Sequence, residues 1–277
     1  MTIHPINTGN FKLDGGAMFG VVPKTLWERT NPADENNMCT WTMRCMLIED
    51  GDKLILIDNG IGNKQSDKFF SHYFLHGDES LESSLKKAGF SADEVTDVFL
   101  THLHFDHCGG GVRWSSDRSK YEPMFKNAIY WSNSFHWKWA TEPNPREKAS
   151  FLKENILPMQ DFGQLKFADK EAFDLFDYLE VNGHTDHQML PMLNYKGNKI
   201  VFMADLLPSV GHVPLPYVMG YDTRPLITLE EKARFLDEAA SGKYILFLEH
   251  DSLNECCTVV NTEKGVRLDR TFDFSEI

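Results

Sequence analysis

The chain of 277 residues is poor in basic charge and in long apolar runs. It has 28 Lys and Arg against 41 Asp and Glu, a formal net charge of −13. Because affinity for nucleic acid requires clustered basic side chains, no nucleic-acid partner is expected. No segment approaches the run of about eighteen apolar residues that indicates a membrane-spanning helix, so no membrane association is expected.

Paired cysteines and a targeting segment are also lacking. The cysteines are Cys39, Cys45, Cys108, Cys256 and Cys257. Their number is odd and none forms a CxxC pair, which favours reduced thiols. The opening MTIHPINTGNFKLDGG has no basic start followed by an apolar run, so it does not read as a signal peptide. We therefore predict a cytoplasmic protein.

Short apolar runs alternate with helical patterns. The predicted strands are KLILIDNGIG (53–62), VTDVFLT (95–101), NKIVFMAD (198–205) and KYILFLEH (243–250). Leu81, Leu85 and Ala88 predict an amphipathic helix that ends at Gly89. A capping box of Thr228 and Glu231 predicts the start of another helix. This alternation indicates an α/β fold.

No internal repeat, low-complexity tract or Gly/Ser linker interrupts the chain, so residues 1–277 are predicted to form a single domain. Residues 113–180 are rich in aromatic side chains and are interpreted as an insertion of helices and loops beside the sheet. The Gly-rich segment 14–27 lacks the Lys-Ser/Thr of a phosphate loop and is interpreted as a hairpin. Met18 and Phe19 there could form an apolar wall beside a site or pack in the core.

The stretch FLTHLHFDHCGGG (99–111) concentrates metal-ligand side chains at the end of a predicted strand. If it is extended, His102, His104 and Asp106 face one side and His107 the other. Imidazoles packed this closely repel one another once protonated, and a divalent cation is the usual reason to hold them together. The stretch therefore predicts a metal site.

Four elements in order resemble the metallo-β-lactamase fold superfamily, most closely its lactonase and organophosphate-hydrolase type. They are HLHFDH (102–107), NGHTDH (182–187), VFMAD (201–205) and LFLEH (246–250). The resemblance implies a four-layer αβ/βα sandwich. It also implies two divalent ions, with zinc expected and iron, manganese or cobalt as alternatives.

The resemblance further implies how the ligands divide. One ion would bind His102, His104 and His184, the other Asp106, His107 and His250, and Asp205 would bridge them with a water or hydroxide. Asp58 matches an aspartate of the family that hydrogen-bonds a ligand histidine. Asp106 is in addition a catalytic candidate.

The chain departs from the family pattern at two places. Many relatives read GHTPGH, whereas this chain reads GHTDHQ, so Asp186 and His187 could alter the loop around His184. Lactonases that cleave acyl-homoserine lactones carry a tyrosine three residues after the bridging aspartate. That position is Pro208 here, and a tyrosine farther along could substitute for it.

The segment after Asp205 is expected to contribute to the substrate site. His212, Tyr217 and Tyr221 are candidate hydrogen-bond donors to a substrate oxygen or a developing oxyanion. Cys108 is interpreted as a packed side chain and not as a nucleophile. No GxSxG motif is present, so a serine nucleophile is not indicated.

These features predict a dinuclear zinc hydrolase in which a metal-bridging hydroxide attacks a small-molecule lactone or ester. A thioesterase like glyoxalase II, a phosphotriesterase and an iron-dependent sulfur dioxygenase are the alternatives. Flavodiiron proteins have Glu where this chain has His104, and a relative without catalysis usually lacks ligands that are all present here. The expected partner is a small-molecule substrate, and a homodimer is left open.

Overall fold

The computed structural model describes residues 1–277, which fall into two compact units. Unit 1 consists of Met1–Gly9 and Met43–Asp174, and unit 2 consists of Asn10–Thr42 and Leu175–Ile277. Each unit combines strands with helices, in agreement with the predicted α/β class. The assignment of residues 1–277 to a single domain stays a prediction.

The regular elements are numbered in chain order. The strands are β1 (Thr2–Asp14), β2 (Met38–Asp50), β3 (Lys53–Ile57), β4 (Asp97–Phe99), β5 (Val112–Trp114), β6 (Tyr121–Pro123), β7 (Ile129–Ser132), β8 (Leu165–Phe167), β9 (Asp177–Val181), β10 (Gln188–Tyr195), β11 (Asn198–Phe202), β12 (Ile245–Phe247), β13 (Cys256–Thr262) and β14 (Gly265–Phe272). The helices are α1 (Gly15–Phe19), α2 (Lys24–Trp27), α3 (Asp67–Phe70), α4 (Leu81–Lys87), α5 (Phe105–Cys108), α6 (Ser134–Thr141), α7 (Lys153–Asp161) and α8 (Pro225–Gly242).

Unit 1 contains the parallel strands β3, β4, β7 and β8 of a six-stranded sheet with the order β1-β2-β3-β4-β7-β8. Its core consists of aliphatic side chains of β3 and β4 packed with buried residues of α4, α6 and α7. Because the strands are parallel, the chain segments after β3 and β4 leave the sheet at one edge. Asp58 follows β3 and the HLHFDH motif follows β4, so the sheet places them side by side.

Unit 2 contains the second six-stranded sheet, with the order β14-β13-β12-β11-β10-β9. Strands β11 and β12 are parallel, and β10 is antiparallel to both β9 and β11. Strands β9, β11 and β12 therefore run in the same direction and end at one edge. His184, Asp205 and His250 follow these three strands in turn.

The predicted strands are confirmed as β3, β4, β11 and β12, and the predicted helix around Leu81 is confirmed as α4. Gly89 has a φ of +94° just after α4, as expected of a helix-ending glycine. Aliphatic runs of this length have few alternatives to a buried strand, which explains why these elements could be predicted.

Two local predictions are wrong. Residues 14–27 form the short helices α1 and α2 and not a hairpin, because the Asp14 side chain caps α1 by accepting from the backbone N–H of Ala17 at 2.8 Å. The predicted helix start at Thr228 is also wrong, because α8 begins at Pro225. Glu231 lies inside α8, and its carboxylate accepts from two backbone N–H groups of the 182–183 turn.

The aromatic-rich region 113–180 contains more strand than expected. It includes the helices α6 and α7, but β7 and β8 within it extend the sheet of unit 1. Tyr130 and Trp131 of β7 are buried, and aromatic side chains such as these are favoured in strands. No helix of the structure is both long enough and apolar enough to cross a membrane.

Candidate metal centre

The HLHFDH motif begins in the extended segment after β4 and ends in the short helix α5. His102 and His104 precede α5, whereas Asp106 and His107 lie within it. The backbone N–H of His107 donates to the carbonyl of His104 at 3.1 Å and closes the turn. The expectation of a fully extended motif is therefore wrong for its second half.

The glycines after the motif allow a close approach of two backbones. A Cβ on Gly109 would lie 2.2 Å from the carbonyl oxygen of Ile61, and one on Gly110 would lie 2.1 Å from that of Asn59. Any larger residue would force the segment after β3 away from the motif. The glycine run thus keeps Asp58 within reach of His107.

Asp58 contacts the motif as the resemblance implies. Its Oδ2 accepts from the Nδ1 of His107 at 3.0 Å and from the Thr101 hydroxyl at 2.7 Å. Its Oδ1 accepts from the backbone N–H of Thr101 at 2.8 Å. A fully buried carboxylate needs such donors. Because Asp58 accepts the proton of Nδ1, the lone pair of the neutral His107 ring lies on Nε2, where it can face a cation.

The rings of His102 and His104 turn one nitrogen each toward a common point. The Thr101 hydroxyl donates to Asp58 and so accepts from the Nδ1 of His102 at 3.1 Å. The Nε2 of His104 lies 3.4 Å from a carboxylate oxygen of Glu147. The remaining nitrogens, Nε2 of His102 and Nδ1 of His104, are 3.1 Å apart. Two lone pairs at this distance repel unless a proton or a metal ion lies beside both, so the pair fits a metal ion.

In unit 2, Asp205 presents one carboxylate oxygen to each of two histidines. Its Oδ2 lies 3.0 Å from the Nε2 of His184, and its Oδ1 lies 3.1 Å from the Nε2 of His250. All three side chains are buried. Imidazole and carboxylate donors in this arrangement match what a carboxylate shared by two divalent ions requires.

The other nitrogen of each of these histidines also has an acceptor. The Nδ1 of His184 lies 3.0 Å from Oδ1 of Asp222, and the Nδ1 of His250 lies 2.8 Å from the carbonyl of Thr42. Burial lowers the pKa of His184, but the carboxylates of Asp205 and Asp222 outweigh it and raise the pKa to about 10. This excess of negative charge demands a buried positive charge, which a divalent ion would supply.

In the unusual GHTDHQ loop, Asp186 forms an ion pair and His187 forms a hydrogen bond. Asp186 lies 2.8 Å from the guanidinium of Arg224, and the Nδ1 of His187 lies 2.6 Å from Glu180. Arg224 also donates to the carbonyl of Asn182 at 2.7 Å. These contacts hold the loop on the residues around it while His184 keeps its contact with Asp205.

His212 is embedded in unit 2 with both ring nitrogens in use. Its Nε2 donates to the carbonyl of Met18 at 2.9 Å, and its Nδ1 lies 2.9 Å from the Ser209 hydroxyl. The ring stacks on Phe19, with centroids 4.4 Å apart. Burial lowers its pKa to about 3, so the ring stays neutral. The structure thus gives His212 a packing role, and a contact with substrate would break one of these hydrogen bonds.

Tyr217 and Tyr221 lie on the segment that follows His212. Tyr217 is half-buried and meets the ring of Phe19 edge-on, with centroids 6.4 Å apart, whereas Tyr221 is 41% exposed. The buried ammonium of Lys232 donates to the carbonyls of Pro214, Leu215 and Tyr217, at 3.0, 3.4 and 2.8 Å. Lys232 therefore fixes the backbone that carries Tyr217.

Aromatic side chains gather beside Asp106 in unit 1. Phe105 contacts Phe69 and Tyr73, with ring centroids 5.3 and 4.7 Å away. Burial raises the pKa of Tyr73 to about 12, and the nearby charge of Asp106 adds to the effect. Cys108 is buried and its thiol donates to the carbonyl of Leu103 at 3.3 Å, which agrees with its interpretation as a packed side chain.

Sequence reasoning missed Asp222, Glu147 and Lys232. Asp222 follows Tyr221 in the segment from which His212, Tyr217 and Tyr221 were predicted as donors. Glu147 lies in the insertion with no motif around it, and Lys232 lies on a helix where a charged residue is normally exposed. An acidic residue within an otherwise apolar loop was the one available signal, and it applies only to Asp222.

Comparison with known proteins supports the class of enzyme expected from the sequence. An N-acyl homoserine lactonase of Bacillus thuringiensis is 22% identical over 228 residues, which cover 78% of this chain and 82% of that protein. A probable metal-dependent hydrolase from Staphylococcus aureus matches with a TM-score of 0.87 and 28% identity, covering 98% of this chain and 96% of the other. These relatives confirm that the chain is a metal-dependent hydrolase.

The fold class is confirmed in the same way. A dizinc quorum-quenching lactonase, AidC, in complex with the product N-hexanoyl-L-homoserine, matches with a TM-score of 0.77 and 22% identity, covering 98% of this chain and 95% of that one. The family model of the metallo-beta-lactamase superfamily matches residues 44–250, well over half of the chain. The chain belongs to the metallo-beta-lactamase superfamily.

Proposed function

We propose that the chain is a dinuclear zinc hydrolase that cleaves a small lactone or ester. In the proposed assignment His102, His104 and His184 would hold one ion, Asp106, His107 and His250 would hold the other, and Asp205 would contribute to both. The observation that carries the proposal is the Asp205 carboxylate, whose two oxygens face two different imidazoles. Imidazole and carboxylate donors suit zinc, which supports that choice of metal.

When bound, such a pair of ions would lower the pKa of a water so that it can attack at near-neutral pH, and would polarise the carbonyl oxygen of an ester. Asp58 and Asp222 orient His107 and His184 by accepting their Nδ1–H groups. We assign to Asp106 the transfer of a proton from the attacking water to the oxygen that leaves when the acyl C–O bond breaks. The reaction then consumes one water and yields a carboxylic acid and an alcohol, which are one molecule if the substrate is a lactone.

The choice of a lactone or ester rests on the relatives and on the apolar character of nearby side chains. The cluster of Phe69, Tyr73 and Phe105 beside Asp106 offers an apolar wall for an acyl or aryl group. Tyr217 and Tyr221 are the proposed donors to the carbonyl oxygen, in place of the tyrosine that Pro208 replaces. The B. thuringiensis relative is an N-acyl homoserine lactonase, which supports a lactone carrying an acyl chain.

A hydrolysis panel tests the proposal. Zinc-loaded protein is assayed with N-acyl homoserine lactones, aryl esters, glutathione thioesters and phosphotriesters. We expect lactone or aryl-ester hydrolysis that a chelator abolishes and added zinc restores, and that His104→Ala lacks. Activity confined to glutathione thioesters or to phosphotriesters would overturn the substrate assignment and leave the metal site intact.

Phenylalanine substitutions test the two tyrosines. Tyr217→Phe or Tyr221→Phe should lower kcat by about 10²-fold with little change in KM, because a lost oxyanion donor destabilises mainly the transition state. Tyr195→Phe, whose ring packs against Phe274 in the same unit, is the matched control and should keep wild-type kinetics. Unchanged kcat in both variants would remove the tyrosines from the mechanism.

A further inference from the structure

Glu147 is a buried carboxylate in the loop between α6 and α7. Its Oε2 accepts from the indole Nε1–H of Trp139 at 2.7 Å and from the side-chain amide of Asn144 at 2.6 Å. Its Oε1 lies 3.4 Å from the Nε2 of His104. Since Glu147 is only 3% exposed, its carboxylate depends on protein groups such as these and not on water.

Four of the five candidate ligand histidines share one ring orientation, and His104 is the exception. In His102, His107, His184 and His250 it is Nδ1 that faces an oxygen outside the proposed ligand set, whereas the Nε2 atoms of His184 and His250 face Asp205. In His104 it is Nε2 that faces such an oxygen, on Glu147, while Nδ1 points toward His102. The nitrogen that His104 can offer to a metal is therefore set by which of its two nitrogens carries the proton.

We propose that Glu147 is a positioning residue that keeps the proton of His104 on Nε2 and so leaves Nδ1 as the metal-binding lone pair. Oε2 already accepts from two donors, and Oε1 faces the His104 ring. A carboxylate there favours the Nε2–H form, because it can accept a hydrogen bond and cannot donate one. The inference rests on the metal site proposed above.

The same region holds the motif independently of Glu147. The backbone N–H of Leu103 donates to the Nε2 of His136 at 2.9 Å, and that of Phe105 donates to the carbonyl of Ser150 at 3.0 Å. The ring of Phe151 packs on that of His104, with centroids 4.8 Å apart. Because none of these contacts uses the Glu147 side chain, they should remain when Glu147 is substituted, so the position of the His104 ring can be separated from its protonation.

Glu147→Gln is the critical variant because glutamine has nearly the same shape. Its carbonyl oxygen remains toward Trp139 and Asn144, which both donate, so its NH₂ group faces the Nε2 of His104. An NH₂ group only donates, and Nε2 must then accept, which moves the proton to Nδ1. A side-chain amide in place of a carboxylate fixes the wrong histidine tautomer in the same way in serine proteases.

The experiment measures zinc affinity by chelator competition for wild type, Glu147→Gln and Glu142→Gln, an exposed control in the same insertion. We expect zinc to bind about 10–100-fold more weakly in Glu147→Gln and unchanged in the control. The thermal midpoint of the metal-free Glu147→Gln protein should match that of metal-free wild type. Nitrogen NMR of ¹⁵N-histidine-labelled, zinc-loaded wild type should show His104 protonated at Nε2.

Each outcome separates this inference from the proposed function. Wild-type zinc affinity in Glu147→Gln, or a His104 proton on Nδ1 in wild type, would overturn the role of Glu147 and leave the hydrolase proposal standing. Loss of zinc together with a lower midpoint of the metal-free protein would assign Glu147 to folding, which also overturns the inference. Wild-type protein that binds no zinc would overturn both proposals.

Discussion

At the residue scale, the proposed chemistry depends most on the Asp205 side chain. Asp205→Asn keeps the volume but replaces one oxygen with an NH₂ group, which cannot bind a cation. Whichever way the amide turns, one of His184 and His250 then faces a donor. We expect metal content well below that of wild type after dialysis, measured by elemental analysis.

The matched control for this variant is Asp237→Asn, an exposed position on α8. It should keep the metal content of wild type. If Asp205→Asn also keeps it, Asp205 is not a shared ligand, and the assignment of the two ions fails at this residue.

His212 makes a separate prediction about acid stability. Its folded-state pKa is lowered to about 3, against 6.5 for an exposed imidazole, because burial disfavours the charged form. Between these values the unfolded chain binds a proton that the folded chain does not. The contribution of His212 to the free energy of unfolding is therefore complete above about pH 6.5 and is lost as the pH falls toward 3, by up to about 1.4 kcal/mol per pH unit.

Urea unfolding of metal-free wild type and His212→Gln between pH 7 and 4 checks this. The free energy of unfolding should fall less steeply with acidification in the variant, because glutamine does not titrate. The other titratable groups are common to both proteins, so the difference between the slopes isolates His212. Identical slopes would mean that the ring is not held neutral by burial.

At the element scale, the segment between Asp205 and α8 has little regular structure of its own and depends on Lys232. Lys232→Met keeps the length and apolar stem of the side chain but leaves the carbonyls of Pro214, Leu215 and Tyr217 without their ammonium donor. We expect a loss of roughly 1–3 kcal/mol in the free energy of unfolding. Proteolysis within residues 213–221 should also become faster.

Arg234→Met, exposed on the same helix, is the control for Lys232→Met and should change neither quantity measurably. Urea unfolding and limited proteolysis with mass spectrometry provide the measurements. Equal protease resistance of wild type and Lys232→Met would show that the segment is ordered without this lysine.

The elements that could be predicted are those whose sequence pattern has one physical solution. The strands before Asp58, Asp205 and His250 are short aliphatic runs that end at a polar residue, and such runs form buried strands. The start of α8 was mispredicted because Pro225, a favoured first residue of a helix, competes with the capping pattern at Thr228. A local pattern predicts such a boundary poorly, because a side chain in it can have a distant partner. Here the Glu231 carboxylate accepts a hydrogen bond from a turn far away in the sequence.

The sequence indicated the candidate ligands and, through the family resemblance, the supporting Asp58, but it did not indicate the other supporting partners. The spacing of HLHFDH is a local signal, whereas the contacts of Glu147 with His104 and of Asp222 with His184 join residues about forty positions apart. No periodicity or motif connects such pairs in a single sequence. They become visible only when the fold has brought the side chains together.

At the scale of the whole molecule, the candidate ligand residues lie in segments that follow strands of two different sheets. Metal ions that bind the folded chain and not the unfolded one stabilise the fold by RT ln(1 + [metal]/Kd). With free zinc about 1,000-fold above Kd, this amounts to about 4 kcal/mol per site, or a thermal midpoint higher by roughly 8 °C or more.

Scanning calorimetry of the protein before and after chelation, together with elemental analysis, tests the metal dependence of the whole fold. We expect close to two divalent ions per chain, mostly zinc, and a midpoint that falls on chelation and recovers with zinc. Asp205→Asn should show a much smaller shift, because the shared ligand is lost to both ions. A single tightly bound iron with oxygen uptake would instead favour the sulfur dioxygenase alternative, since that reaction consumes oxygen and a hydrolase consumes only water.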